Sequence, residues 1–321
     1  MPLIENFDST KVPTLLQPLF PKLVDSFLRL SPTSHKAALQ IMADRKLRFE
    51  LDADKEEFLC QASAFITAEG PEFQRLKVGL KAMERTWAFS FAYFAMFRWL
   101  CTRHNAKLKG EKPENPYGLA EAIALLEWAQ PKFDELTEEL IPLGPWPEKL
   151  PSPSNPLPEI EFMQEVENFS IRTMGLVFLH EIGHFAKGDF DSQEGLAKPA
   201  HQSELDADDW AATISTENFD AEQLQTSANL VTMPFMLGVI AAVNAEESEE
   251  HPSLAVRLKA FAEKHIEPRR GDSKSLYNTA LFACVTPLQT LLYLKNPTAM
   301  DTMPEFETVS EYIDWWEKVY V

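Results

Sequence analysis

Along most of this chain, apolar residues recur at three- and four-residue spacing. That is the period of an α-helix burying one face. Glycine, which weakens helix interiors, supplies only 11 of the 321 residues. The long stretches between are rich in Ala, Leu, Glu and Lys, all good helix formers. The period predicts helices at roughly 21–30, 34–48, 53–68, 71–104, 117–140, 161–187, 201–216, 220–244, 252–267, 273–295 and 306–319. No series of alternating strands stands out, and short strands fit only near 155–162 or 188–200. The expected fold class is mainly α.

One segment cannot belong to that pattern. Seven prolines fall between Pro142 and Pro158, in IPLGPWPEKLPSPSNPLP. Each removes a backbone donor and blocks helix continuation. The segment 142–158 is therefore read as an extended connector between a helical N-terminal region, 1–141, and a helical core, 159–321. It is either a domain boundary or a strap over one compact body.

The net charge of −19, from 49 acidic and 30 basic residues, argues against nucleic acid or anionic membranes as partners. Cys60, Cys101 and Cys284 are odd in number and far apart. They predict neither a disulfide framework nor a thiolate metal site, but reduced thiols in a cytoplasmic protein. The first twelve residues lack a basic stretch followed by an apolar run, so no signal peptide is expected. Residues 87–101, which carry Arg98, and 230–243 are apolar but short of the roughly 20 residues a spanning helix needs. They are expected to be buried core helices, with no stable membrane insertion.

Residues 178–188 read FLHEIGHFAKG. On a helix, His180 and His184 share one face, with Cβ atoms about 5–6 Å apart. Two imidazoles so placed can grip one zinc ion, Zn2+. Glu181, one position on, flanks that face and can reach a water without ligating. A catalytic zinc site usually takes a third protein ligand. The pattern with a glycine three and a histidine six residues after the second histidine is excluded, because those positions hold Lys187 and Phe190. Downstream, His201, Glu204 and Asp208 lie near one face of the next helix. Glutamate has the longer reach, so Glu204 is the expected ligand. Asp208 suits a shorter bond to a ligand imidazole, fixing its tautomer. Asp206 and Asp209 read as the solvated acidic start of a helix. Further on, His251-Pro252 opens another helix and Arg257 follows about a turn and a half later.

The order of these pieces carries a resemblance. HEIGH, then Glu204-x-x-Ala207-Asp208, an apolar helix, and His251-Pro-x-x-x-x-Arg257 resemble the gluzincin layout of membrane prenyl-protein peptidases and their soluble relatives. The similarity extends to the soluble phage-exclusion peptidases of the Lit type and covers about residues 165–262. It implies a helical, zincin-like metallopeptidase core, with an additional helical N-terminal region that matches no family. It further implies His180, His184 and Glu204 as zinc ligands, Glu181 as general base, Asp208 behind a ligand, and His251 and Arg257 near the site. The implied partner is a protein or peptide substrate inside the cell, in antiviral defence.

The chemistry expected is zinc-assisted amide hydrolysis, with Glu181 moving the proton. His251 is the first candidate for steadying the developing oxyanion, ahead of Tyr277 and Tyr293. Two other readings compete. An inactive, partner-binding protein could retain the fold, although such a protein has no use for Glu181. A structural zinc site would want a fourth ligand, which His201 could supply.

Overall fold

The computed structural model describes the chain apart from residues 1–13, 20, 23–25, 53–59, 68–69, 115–116, 133–140, 192–197, 219–221, 243–250, 272–273, 297, 299–303 and 321. The fold is mainly helical. Its elements run α1 (Ser26–Leu30), α2 (Pro32–Asp44), β1 (Arg48–Asp52), β2 (Cys60–Thr67), β3 (Gly70–Gly79), α3 (Leu80–Lys109) and α4 (Leu119–Ala129). After the proline-rich segment come α5 (Ile160–Ala186), α6 (Ala200–Thr216), α7 (Gln223–Ile240), α8 (Leu254–Phe261), α9 (Lys274–Lys295) and α10 (Val309–Tyr320).

The strands correct the sequence reading. Helices were expected over 53–68 and from 71, yet 60–67 and 70–79 form strands, and 48–52 a third; residues 53–59 lie outside the described residues. β3 is the centre of the sheet, parallel to β1 and antiparallel to β2. Its side chains alternate: Gln74, Leu76 and Val78 are buried, while Arg75 and Lys77 are partly exposed. That two-residue period spans only five positions before the apolar helix at Leu80 begins. A helical window reaching back from α3 absorbs it. The expected helix 117–140 ends at Ala129, and residues 133–140 lie outside the described residues. At 155–162 there is no strand; a single bridge joins Ser152 and Asn155.

α3 is the central post. Residues from Leu80 to Met96 are buried along nearly every face, as an all-round apolar helix must be. Its C-terminus stops at Gly110 in the left-handed conformation. Packed on it are α4, α5, α7 and α9. The proline-rich segment lies against this core: the Trp146 ring is 4.7 Å from Trp128 and 5.6 Å from Trp87. One buried apolar cluster runs from Leu16 to Trp316 and includes residues on both sides of that segment. Among the described residues, no helix is long and apolar enough to cross a membrane.

Two buried contacts set the position of α5, which carries the HEIGH motif. The amide of Asn229 on α7 donates to the carbonyls of Leu30 (3.0 Å) and Ser215 (2.8 Å). Its oxygen accepts from Arg172 of α5 at 2.7 Å. One side chain thus ties α1, α5, α6 and α7. Closer to the motif, α5 and α6 touch at Gly183. A Cβ there would stand 3.0 Å from the Ala207 carbonyl oxygen and 3.1 Å from its Cα. Only glycine lets the two backbones approach so closely. Gly183→Ala is expected to force α6 outward, costing about 1–3 kcal/mol as overpacking does. Urea unfolding of the variant checks this; unchanged stability would mean the helices part freely.

Candidate metal centre

α5 and α6 face each other across this contact and together build a buried polar cluster. His180 and His184 come from successive turns of α5, their rings 4.9 Å apart and nearly perpendicular. Glu204 rises from α6 between them. Its Oε2 lies 3.4 Å from His180 Nε2, and its Oε1 lies 3.5 Å from His184 Nε2. One donor atom from each of the three residues lies within 4.8 Å of the others. All three side chains are buried.

The far side of each ring meets a carboxylate. His180 Nδ1 is 2.9 Å from Asp208 Oδ1. His184 Nδ1 is 2.9 Å from Asp189 Oδ2 and 3.3 Å from Ser203 Oγ. With Nδ1 beside an acid, each ring turns its Nε2 toward Glu204. Asp208 is itself gripped by Arg257 of α8, which donates from Nε to Oδ2 (2.8 Å) and from Nη2 to Oδ1 (2.6 Å). Nη1 of the same guanidinium lies 3.4 Å from Glu204 Oε2. This forked geometry, fully buried, is what arginine offers and lysine cannot.

Among the described residues, Arg257 is the fixed cation against Asp208 and Glu204, and Lys198 is shared between Asp189 and Asp206. His180 adds to this balance. Burial opposes its charging, but contacts with Asp208 and Glu204 outweigh burial and raise its pKa to about 10. Burial likewise opposes ionisation of Glu204, yet His180, His251 and Arg257 hold its pKa well below the usual range. Glu204 Oε2 is buried and forms no well-aligned hydrogen bond, although His180 Nε2 and Arg257 Nη1 each stand 3.4 Å from it. Two imidazole nitrogens and a buried carboxylate within reach of one another are the donor set of a divalent metal ion. The residues fit the group.

Glu181 lies beside the cluster, out of the ligand set. Burial raises its pKa, opposed by His180 and His184 and by the Ala62 backbone N–H, which donates to Oε2 at 2.6 Å. Ala62 belongs to β2, an outer strand of the sheet. The strand beside Glu181 is therefore β2, in a region expected to be helical. His251 Nδ1 lies 3.5 Å from Glu204 Oε1, and the side chain is half-buried.

Other expectations fall elsewhere. Among the described residues His201 is not part of the metal-competent group, so a fourth ligand from it finds no support. The Tyr277 hydroxyl donates to the Glu307 carbonyl at 2.9 Å, and Tyr293 is packed against the core on α9. Asp206 pairs with Lys198 at 2.5 Å, and Asp209 with Lys264 and His265; neither is simply solvated. Asp189 escaped the sequence reading. Its signal is Gly188-Asp189 just past the end of α5, where Gly188 takes φ +75° and turns the next residue back onto His184.

The family model described as Peptidase U49 matches residues 77–276, well over half of the chain. The chain belongs to the Peptidase U49 family. The match contains the whole of α5, α6 and α8, and with them every residue of the cluster. β1 and β2, including Ala62, precede it. None of the curated proteins or solved structures compared with the chain matches it. In this Peptidase U49 member the Arg257–Asp208 pair is a buried, forked contact joining α8 to α6. Arg257→Met should strip the buried Asp208 of its guanidinium partner, leaving only His180, and cost about 3–5 kcal/mol. Denaturant unfolding reads the loss; a cost under about 1 kcal/mol, the worth of an exposed pair, would contradict a buried role.

Proposed function

We propose that the chain is a zinc-dependent endopeptidase that hydrolyses peptide bonds of an intracellular protein. The observation that carries this reading is the convergence of His180 Nε2, His184 Nε2 and Glu204 on one point, each ring backed by a carboxylate. His180, His184 and Glu204 would hold the ion, the two-histidine-one-glutamate set of a gluzincin. Zinc bound there supplies Lewis acidity to the scissile carbonyl.

The remaining work falls to side chains. Glu181 is the general base: half-buried, with a raised pKa and one oxygen fixed by Ala62, it takes a proton from the attacking water. It then returns that proton to the leaving amine. His251, at the accessible margin of the site, steadies the developing oxyanion. Asp208, itself held by Arg257, orients His180. The outer edge of β2 runs beside Glu181, where an extended peptide can pair with it. The likeness to Lit-type peptidases supports phage exclusion as the setting, with a host protein as the substrate.

Purified protein should carry about one zinc per chain, and His180→Ala should lose it. Glu181→Gln should keep the metal and the fold but hydrolyse about 10²–10⁴-fold more slowly. Metal analysis, circular dichroism and a cleavage assay on the three proteins decide it. Undiminished cleavage by Glu181→Gln would refute the peptidase mechanism.

A further inference from the structure

The two imidazoles of the centre are supported in different ways. The support behind His180 is legible as a helical i, i+4 partner of Glu204, whereas the support behind His184 comes from a turn. Asp189 follows α5 directly, and its backbone N–H donates to the His184 carbonyl at 3.0 Å. Gly188 makes this possible by adopting a left-handed conformation. Arg45 at the end of α2 locks the turn by pairing with Asp191 and donating to the Phe185 carbonyl at 2.9 Å.

The side chain of Asp189 then turns inward and is buried. Oδ2 lies 2.9 Å from His184 Nδ1 and accepts from the Ser203 hydroxyl. Oδ1 accepts from Lys198 Nζ at 3.2 Å. Backbone bonds and the Arg45 clamp already hold the turn, so this buried acid is not needed to close it.

Its position has a specific consequence for the ring. Ser203 Oγ is 3.3 Å from His184 Nδ1, and a hydroxyl can donate or accept. Were Ser203 to donate, the imidazole proton would move to Nε2 and block the metal face. Asp189, being acceptor-only when ionised, draws the Ser203 proton to itself and leaves His184 Nδ1 as the donor. Lys198 offsets the acid's charge without competing for Oδ2.

From this geometry we infer that Asp189 is the positioning residue for His184: with Ser203 it selects the tautomer that directs Nε2 at the metal. The inference rests on the metal-site reading of His180, His184 and Glu204. Its sharpest variant is Asp189→Asn, whose amide can donate to Nδ1 and favour the wrong tautomer.

The test titrates metal-free wild type, Asp189→Asn, Ser203→Ala and His180→Ala with Co2+ in competition with a chromophoric chelator. Visible absorption of the cobalt complex and the melting temperature of each metal-free protein are recorded alongside. Asp189→Asn should bind Co2+ about 10–100-fold more weakly, as loss of a ligand's supporting acid does. Its cobalt spectrum should change, and its metal-free melting temperature should stay near that of wild type. Ser203→Ala should lose less affinity than Asp189→Asn, because the acid alone still accepts from Nδ1. Wild-type affinity and spectrum in Asp189→Asn would overturn the inference, as would a lowered metal-free melting temperature with unchanged affinity. Failure of wild type itself to bind Co2+, indistinguishable from His180→Ala, would instead overturn the metal site and this inference with it.

Discussion

Buried charge is the constraint around which this molecule is organised. His180, His184, Glu204, Asp208 and Arg257 gather where α5 meets α6, with Glu181 half-buried beside them, and the interior they occupy is hostile to isolated charge. They are tolerated because each is answered: Arg257 forks onto Asp208, Asp208 meets His180, and Asp189 meets His184. Glu204 Oε2 is held by the nearby charges of Arg257 and His180, each 3.4 Å away, without a well-aligned hydrogen bond. The helices stay close enough for this because Gly183 presents no side chain to Ala207.

The rest of the fold supplies rigid walls. α3 fills the centre as a helix apolar on almost every face, and Asn229 cross-links α1, α5, α6 and α7 from within. Ligand side chains projecting from two packed helices are placed more accurately than side chains on loops. Asp189, a loop-borne supporting group, sits on a turn held at both ends, by the helix itself and by Arg45.

How much of this was legible in the sequence follows from the range of each interaction. His180 with His184, and Glu204 with Asp208, are one helical turn apart, so the 3.6-residue period places each pair without any knowledge of the fold. Which of His201, Glu204 and Asp208 faces the histidines depends on how α6 is rolled against α5, and side-chain length pointed to Glu204. The forked Arg257–Asp208 contact spans 49 residues, and no local pattern encodes it. The sheet was misread as helix because the alternation in β3 is brief and runs straight into α3. With the sheet went the hydrogen bond from Ala62 to Glu181, a backbone interaction that leaves no mark on residue type. Asp189 was missed because its role needs a left-handed turn at Gly188 to reverse the chain.

The central claim is that two imidazoles and one carboxylate hold zinc. X-ray absorption at the zinc edge of the purified protein tests it most directly, because it reads the ligand atoms whatever the substrate. The account predicts a low-coordinate nitrogen and oxygen shell at about 2.0–2.1 Å, with the outer-shell scattering of two imidazole rings. A sulfur neighbour at about 2.3 Å, which only Cys60, Cys101, Cys284 or a methionine could supply, or the scattering of a single imidazole, would contradict it.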